Sequence, residues 1–73
     1  MSATTMVVRL NGEEVTVALG VTVAVIVGAT GVGPESRGVA VALDGEVVRR
    51  ADWATTVVRD GQRIEVLTAV QGG

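Results

Sequence analysis

Apolar and polar positions alternate along most of the chain with the two-residue period of a β-strand. The run Thr5 to Leu10 ends in Asn11-Gly12. That dipeptide favours a two-residue hairpin, because both central turn residues must take positive φ. Beyond it, Val15, Val17 and Leu19 alternate with Glu14, Thr16 and Ala18. The pattern predicts antiparallel strands over 5–10 and 13–19 with one buried face.

Gly20 interrupts the alternation. Val21, Val23, Val25 and Val27 then recur at every second position, as in a strand. Val23, Ile26 and Val27 also fit the i, i+3, i+4 spacing of a helix, with Thr22 in place to cap it and Gly31 to end it. Local composition leans toward strand, since Val is a mediocre helix former and Gly28 costs about 1 kcal/mol relative to Ala inside a helix. The periodicity leaves both readings open.

A loop covers 31–38. Val39 to Leu43 is a continuous apolar run, as in a buried central strand. Asp44-Gly45 is a second hairpin signal, with a return through Glu46, Val47 and Val48. Arg49 to Thr56 reads as a loop or a single helical turn, and Asp60-Gly61 as a third turn. The last strand spans Ile64 to Val70. Ile64, Val66, Thr68 and Val70 fall on its core face, and Glu65, Leu67 and Ala69 on the other. The chain closes with Gln71-Gly72-Gly73 and shows no linker, repeat or charge run. The expectation is one domain over 1–73, with flexible ends at 1–4 and 71–73.

Composition narrows the function classes. A domain of 73 residues buries only about 60% of its unfolded surface, so it depends on one compact core. Its β-branched richness suits a central sheet. With no Cys and no His, zinc fingers, disulfide frameworks, cysteine nucleophiles and His-based triads are excluded. The run Val25 to Gly33 looks like a strand entering a Gly-rich phosphate loop. However, Pro34 follows at once, no helix pattern succeeds it, and the chain has no Lys for a P-loop. Glu13-Glu14 is the only adjacent carboxylate pair; neighbours on an extended strand point to opposite faces, which argues against shared acid/base work. No catalytic residue, metal site or cofactor is expected.

Six Arg against eight acidic residues give a net charge of −2, without the footprint of a nucleic-acid binder. The most apolar stretch, Val15 to Val32, is broken by Thr and Gly and does not read as a membrane span. The N-terminus lacks a basic region, so no signal peptide is read, and the expectation is a soluble, cytoplasmic protein. Trp53, the single aromatic, reads as a core anchor with its N–H satisfied.

The tail carries the distinctive chemistry. Gly72-Gly73, taken as the chain's own terminus, follows directly from a strong strand. Two residues without side chains make a thin thread that fits a narrow active site while the folded body stays outside. The Gly73 carboxylate is a poor electrophile, so a partner must activate it. Coupling to AMP gives a mixed anhydride that a nucleophile such as sulfide attacks. The last strand is the natural handle for such partners. Leu67 and Ala69 face outward beside Glu65, with Arg63 and Glu65 as a polar rim.

Several segments together carry a resemblance. They are Leu10-Asn11-Gly12, Gly20-Val21-Thr22-Val23, Gly38 to Leu43, Val47-Val48-Arg49-Arg50 and Asp52-Trp53-Ala54. Asp60-Gly61, Ile64 to Val70 and Gly72-Gly73 complete the set. From Met6 onward the chain resembles the ThiS family, the sulfur carriers of thiamine biosynthesis within the ubiquitin-like β-grasp group. That family often has Pro where Arg49 stands, at a turn. The resemblance implies an α+β, ubiquitin-like β-grasp fold. It would have a mixed sheet of four to five strands, first and last strands parallel, one main helix over about 22–29 and a flexible Gly-Gly tail. It further implies that Gly73 is adenylated by an ATP-dependent E1-like enzyme and converted to a thiocarboxylate, with Gly72 as the neck of the tail. The sulfur then passes to thiazole synthase. In this reading the chain is not itself an enzyme, and its partners are those two proteins, with no nucleic acid and no membrane. Two alternatives stand beside it. The small subunit of molybdopterin synthase shares fold and tail, but usually has an aromatic-proline segment where this chain has Thr68-Ala69-Val70-Gln71. The other is a β-grasp binding module without tail chemistry.

Overall fold

The computed structural model describes residues 4–33 and 37–69. Its elements are β1 (Thr5–Leu10), β2 (Glu13–Ala18), α1 (Val23–Ala29), β3 (Val39–Leu43), β4 (Glu46–Val48), a 3₁₀ turn (Arg50–Asp52) and β5 (Arg63–Thr68). The strands form one five-stranded sheet in the order β2-β1-β5-β3-β4. β1 and β5 pair in parallel and the other neighbours pair antiparallel. This is the mixed β-grasp sheet with a single helix that the resemblance implies.

Both hairpins form as the turn dipeptides dictate. Asn11 and Gly12 take φ of 50° and 86°, and Asp44 and Gly45 take 49° and 85°. These left-handed pairs twist the chain in the sense of the flanking strands and set the register directly, with Leu10 opposite Glu13 and Leu43 opposite Glu46.

The ambiguous segment is a helix. Its poor composition is offset at its start, where three N–H groups without an intrahelical partner find acceptors. Val23 N–H donates to the Thr56 carbonyl at 3.0 Å and Ala24 N–H to the Trp53 carbonyl at 2.9 Å. Val25 N–H reaches the Thr22 hydroxyl at 3.4 Å, and the first intrahelical bond runs from the Ile26 N–H to the Thr22 carbonyl at 3.2 Å. Thr22 is thus the N-cap, and an isolated bridge to Val57 holds it in place. The predicted i, i+3, i+4 stripe of Val23, Ile26 and Val27 is buried, in one cluster with Met6, Val8, Val41, Trp53, Val58, Ile64 and Val66. Each such aliphatic side chain contributes roughly 1.5–3 kcal/mol when fully removed from water.

Three expectations are corrected. Leu19 is 51% exposed, because β2 ends at Ala18 and the chain turns away through Gly20 at positive φ. Thr68 is exposed although it lies on the core-facing side of β5. Its cross-strand partner Val39 is itself only half-buried, so the cover over the sheet thins toward that end. β3 is an interior strand but is buried on one face only, with Ala40 exposed on the other.

Candidate functional site

β5 leads toward the tail and lies at the centre of the sheet, between β1 and β3. Its two flanking hairpins clasp it with their turn residues. Asn11 Oδ1 accepts the Val66 N–H at 2.8 Å, just past the end of β1, where no strand remains to pair with it. Asp44 Oδ1 accepts the Arg63 N–H at 2.9 Å, and Asp44 Oδ2 accepts from the Gln62 amide at 3.0 Å. These bonds favour the carboxylate. The Arg63 backbone N–H, followed by the Gln62 amide and the Arg63 charge, holds Asp44 below its ordinary pKa of 3.8.

The predicted docking residues lie together. Ile64 and Val66 point into the core, and Arg63, Glu65 and Leu67 alternate onto the opposite, exposed face. Leu67 is 64% exposed, and Ala69, also exposed, donates its N–H to the Gly38 carbonyl at 2.7 Å. Gly72, Gly73 and Val70 lie outside the described residues. So do the ends read as flexible, except Thr4, whose carbonyl accepts the Leu19 N–H at 3.0 Å.

The sheet adds residues that the reading of one strand missed. Ala40 is the register partner of Leu67, and Ala42 that of both Glu65 and Val47. Val47 is 77% exposed. Leu67, Ala40, Ala42 and Val47 therefore share one outward face. Val7 and Arg9 of β1 lie on it too, since Met6 and Val8 face the core. The Asp44-Gly45 turn held the signal. A two-residue hairpin pairs Val41 with Val48, which turns Ala40, Ala42 and Val47 outward together.

Trp53 anchors the other side of the sheet. It is 8% exposed, its indole N–H donates to the Val48 carbonyl at 2.9 Å, and the Arg50 guanidinium lies 4.9 Å from the ring centroid. The 3₁₀ turn is thereby tied to the end of β4. An apolar cavity of about 250 Å³ lies beside it, lined among others by Val27, Val32, Trp53 and Ala54. No carboxylate lines it. Among the described residues no cluster of acidic side chains is arranged to hold a metal ion. A second, polar cavity is lined among others by Asp44, Glu46, Asp52 and Gln62, on the strands and turns beside β5.

A family model described as the ThiS family matches residues 7–73. Among curated proteins, a thiazole synthase from Paramagnetospirillum magneticum (strain AMB-1) is 36% identical over 64 residues, covering 88% of this chain. Those residues make up 19% of that protein, so this chain spans about a fifth of its length. Among solved structures, the thiamine biosynthesis protein (ThiS) from Geobacter metallireducens matches with a TM-score of 0.75 at 34% identity. The match covers 93% of this chain and 100% of that one.

Proposed function

The chain belongs to the ThiS family, and from that premise we propose that it is a sulfur carrier of thiamine biosynthesis that works through the carboxyl group of Gly73. The observation that carries this reading is the family match, which takes in the whole described body from Val7 onward and reaches Gly73.

The chemistry follows from the carboxylate. Its oxygen attacks the α-phosphate of ATP on an E1-like adenylating enzyme, and pyrophosphate leaves. The acyl-adenylate is an activated electrophile. A donor at the sulfide oxidation level attacks its carbonyl carbon, AMP departs with the former carboxylate oxygen, and a thiocarboxylate remains. Thiazole synthase then takes the sulfur, an oxygen from the acceptor or from water replaces it on the carbonyl carbon as the C–S bond breaks, and the tail returns to a carboxylate. The carrier itself turns nothing over. It supplies a tail and a grip, and Gly72 keeps the neck narrow enough to thread. ATP and reduced sulfur as co-reactants point to the cytoplasm. No helix among the described residues is long and apolar enough to cross a membrane.

Thiazole synthase as a partner is supported by the relative of that name, one stretch of which is similar to most of this chain. Joining two working partners in one polypeptide raises their effective concentration. The docking handle is the outward side of β5, with Leu67 and Ala69 as apolar contacts and Arg63 and Glu65 as rim charges. Leu67→Asp is expected to weaken binding to both partners while the domain stays folded.

The test is intact mass after incubation with ATP, sulfide and the cognate adenylating enzyme. The expected gain is the difference between one sulfur and one oxygen atom. An unchanged mass, with an enzyme that adenylates its authentic carrier, removes the reading.

A further inference from the structure

Two arginines stand side by side on the outward face. Arg9 of β1 and Arg63 of β5 are register partners in the parallel pair, and both are exposed. Adjacent strands are only about 4.8 Å apart, and like charges directly across them are destabilising. The Arg63 charge acts on the Asp44 carboxylate, but among the described residues neither Arg9 nor Arg63 is held in a salt bridge. Among the described residues the one salt bridge joins Arg49 and Asp52, elsewhere on the surface. Asp44 spends its oxygens on the Arg63 backbone and the Gln62 amide. Asp60 spends one on the Val7 N–H at 3.0 Å. Glu14 is the register partner of Arg9, yet the Arg9 guanidinium reaches the Gly12 carbonyl at 3.4 Å instead.

We propose that Arg9 and Arg63 form a receptor for a single side-chain carboxylate of the docked partner protein, whose neighbouring apolar side chains cover Leu67, Ala40 and Val47. The proposal rests on the carrier reading and deepens it. Guanidinium groups carried at register positions on adjacent strands supply donors for both oxygens of one carboxylate. Beside them on the same face, Leu67 and Val47 offer the desolvated contact from which most binding energy derives. Apolar contact is non-directional and cannot by itself fix a docked orientation. The charges can. Glu65 separates the cationic end from the apolar end, so the face reads cation, anion, apolar in one direction along β5. A partner carrying the complementary sequence of groups binds in one orientation only, with the strand axis aimed at its active site. The protein is a fitting partner class, and nucleic acid is not, because the chain carries a net charge of −2.

The experiment uses the full chain and its cognate adenylating enzyme, comparing wild type with the Arg9→Gln/Arg63→Gln double variant. Thiocarboxylate formation is followed as a function of carrier, ATP and salt. The double variant is expected to melt with the wild type, because both side chains are exposed. Its KM as carrier should rise by about tenfold, with kcat at saturation near wild type and a shallower salt dependence of kcat/KM. Arg63→Glu should raise KM as well. An unchanged carrier KM and salt slope overturns the proposal. A rise in KM for ATP instead assigns the pair to the nucleotide phosphates and also overturns it. If the wild-type chain forms no thiocarboxylate, the carrier reading and this inference fall together.

Discussion

Asn11 and Asp44 each meet two demands at once. Both occupy the left-handed region, which a short polar side chain tolerates, and both use a side-chain oxygen to hold a backbone N–H of β5. At Asp44 this creates a pH dependence. Its carboxyl is held below the ordinary 3.8, so the folded state favours the ionised form. The resulting stabilisation is present in full above 3.8, declines as pH falls below that value, and is gone beneath the folded-state pKa. Asp44→Asn should therefore lower stability near neutral pH and flatten the acid limb, as measured by denaturant midpoints from neutral pH downward. Trp53 supplies the larger single contribution. Trp53→Ala removes a buried ring and leaves the Val48 carbonyl without its indole donor; the expected loss is about 3–5 kcal/mol, read from chemical denaturation.

At the scale of elements, legibility follows sequence distance. The two hairpins were readable because Asn11-Gly12 and Asp44-Gly45 carry their turn geometry within themselves. The helix was not readable from 21–31 alone, because two of its three capping acceptors are the Trp53 and Thr56 carbonyls, about thirty residues on. Family resemblance supplied what local propensity withheld. On β5 the alternation of Arg63, Glu65 and Leu67 was legible, since Ile64 and Val66 announce the core face. Thr68 failed because alternation fixes a side, and cover depends on what lies above it. The adjacency of Arg9 and Arg63 was invisible for a different reason: parallel pairing of the outermost strands in sequence has no local signature. The helix still carries a correctable weakness at Gly28. Its φ is not positive, and an added Cβ meets nothing within 4 Å. Gly28→Ala should raise stability by up to about 1 kcal/mol, or about 4–8 °C in melting temperature for a domain of this size.

At the scale of the whole molecule, no buried position among the described residues lies beyond Val66. Deleting Gly73 should leave the melting temperature nearly unchanged and abolish thiocarboxylate formation. A truncated chain that still accepts sulfur would place the reaction elsewhere.

The position of β5 has a mechanical consequence. A partner that grips the tail pulls along the strand axis. The backbone bonds to β3 on one side and β1 on the other run across that axis. The load therefore acts in shear and is shared by the bonds together, whereas an edge strand pulled sideways would peel open one bond at a time. The ties from Asn11 and Asp44 brace the strand near its middle and at its start. Tension applied to the chain beyond Thr68 thus meets its resistance in the middle of the sheet, where the last strand is held on both sides.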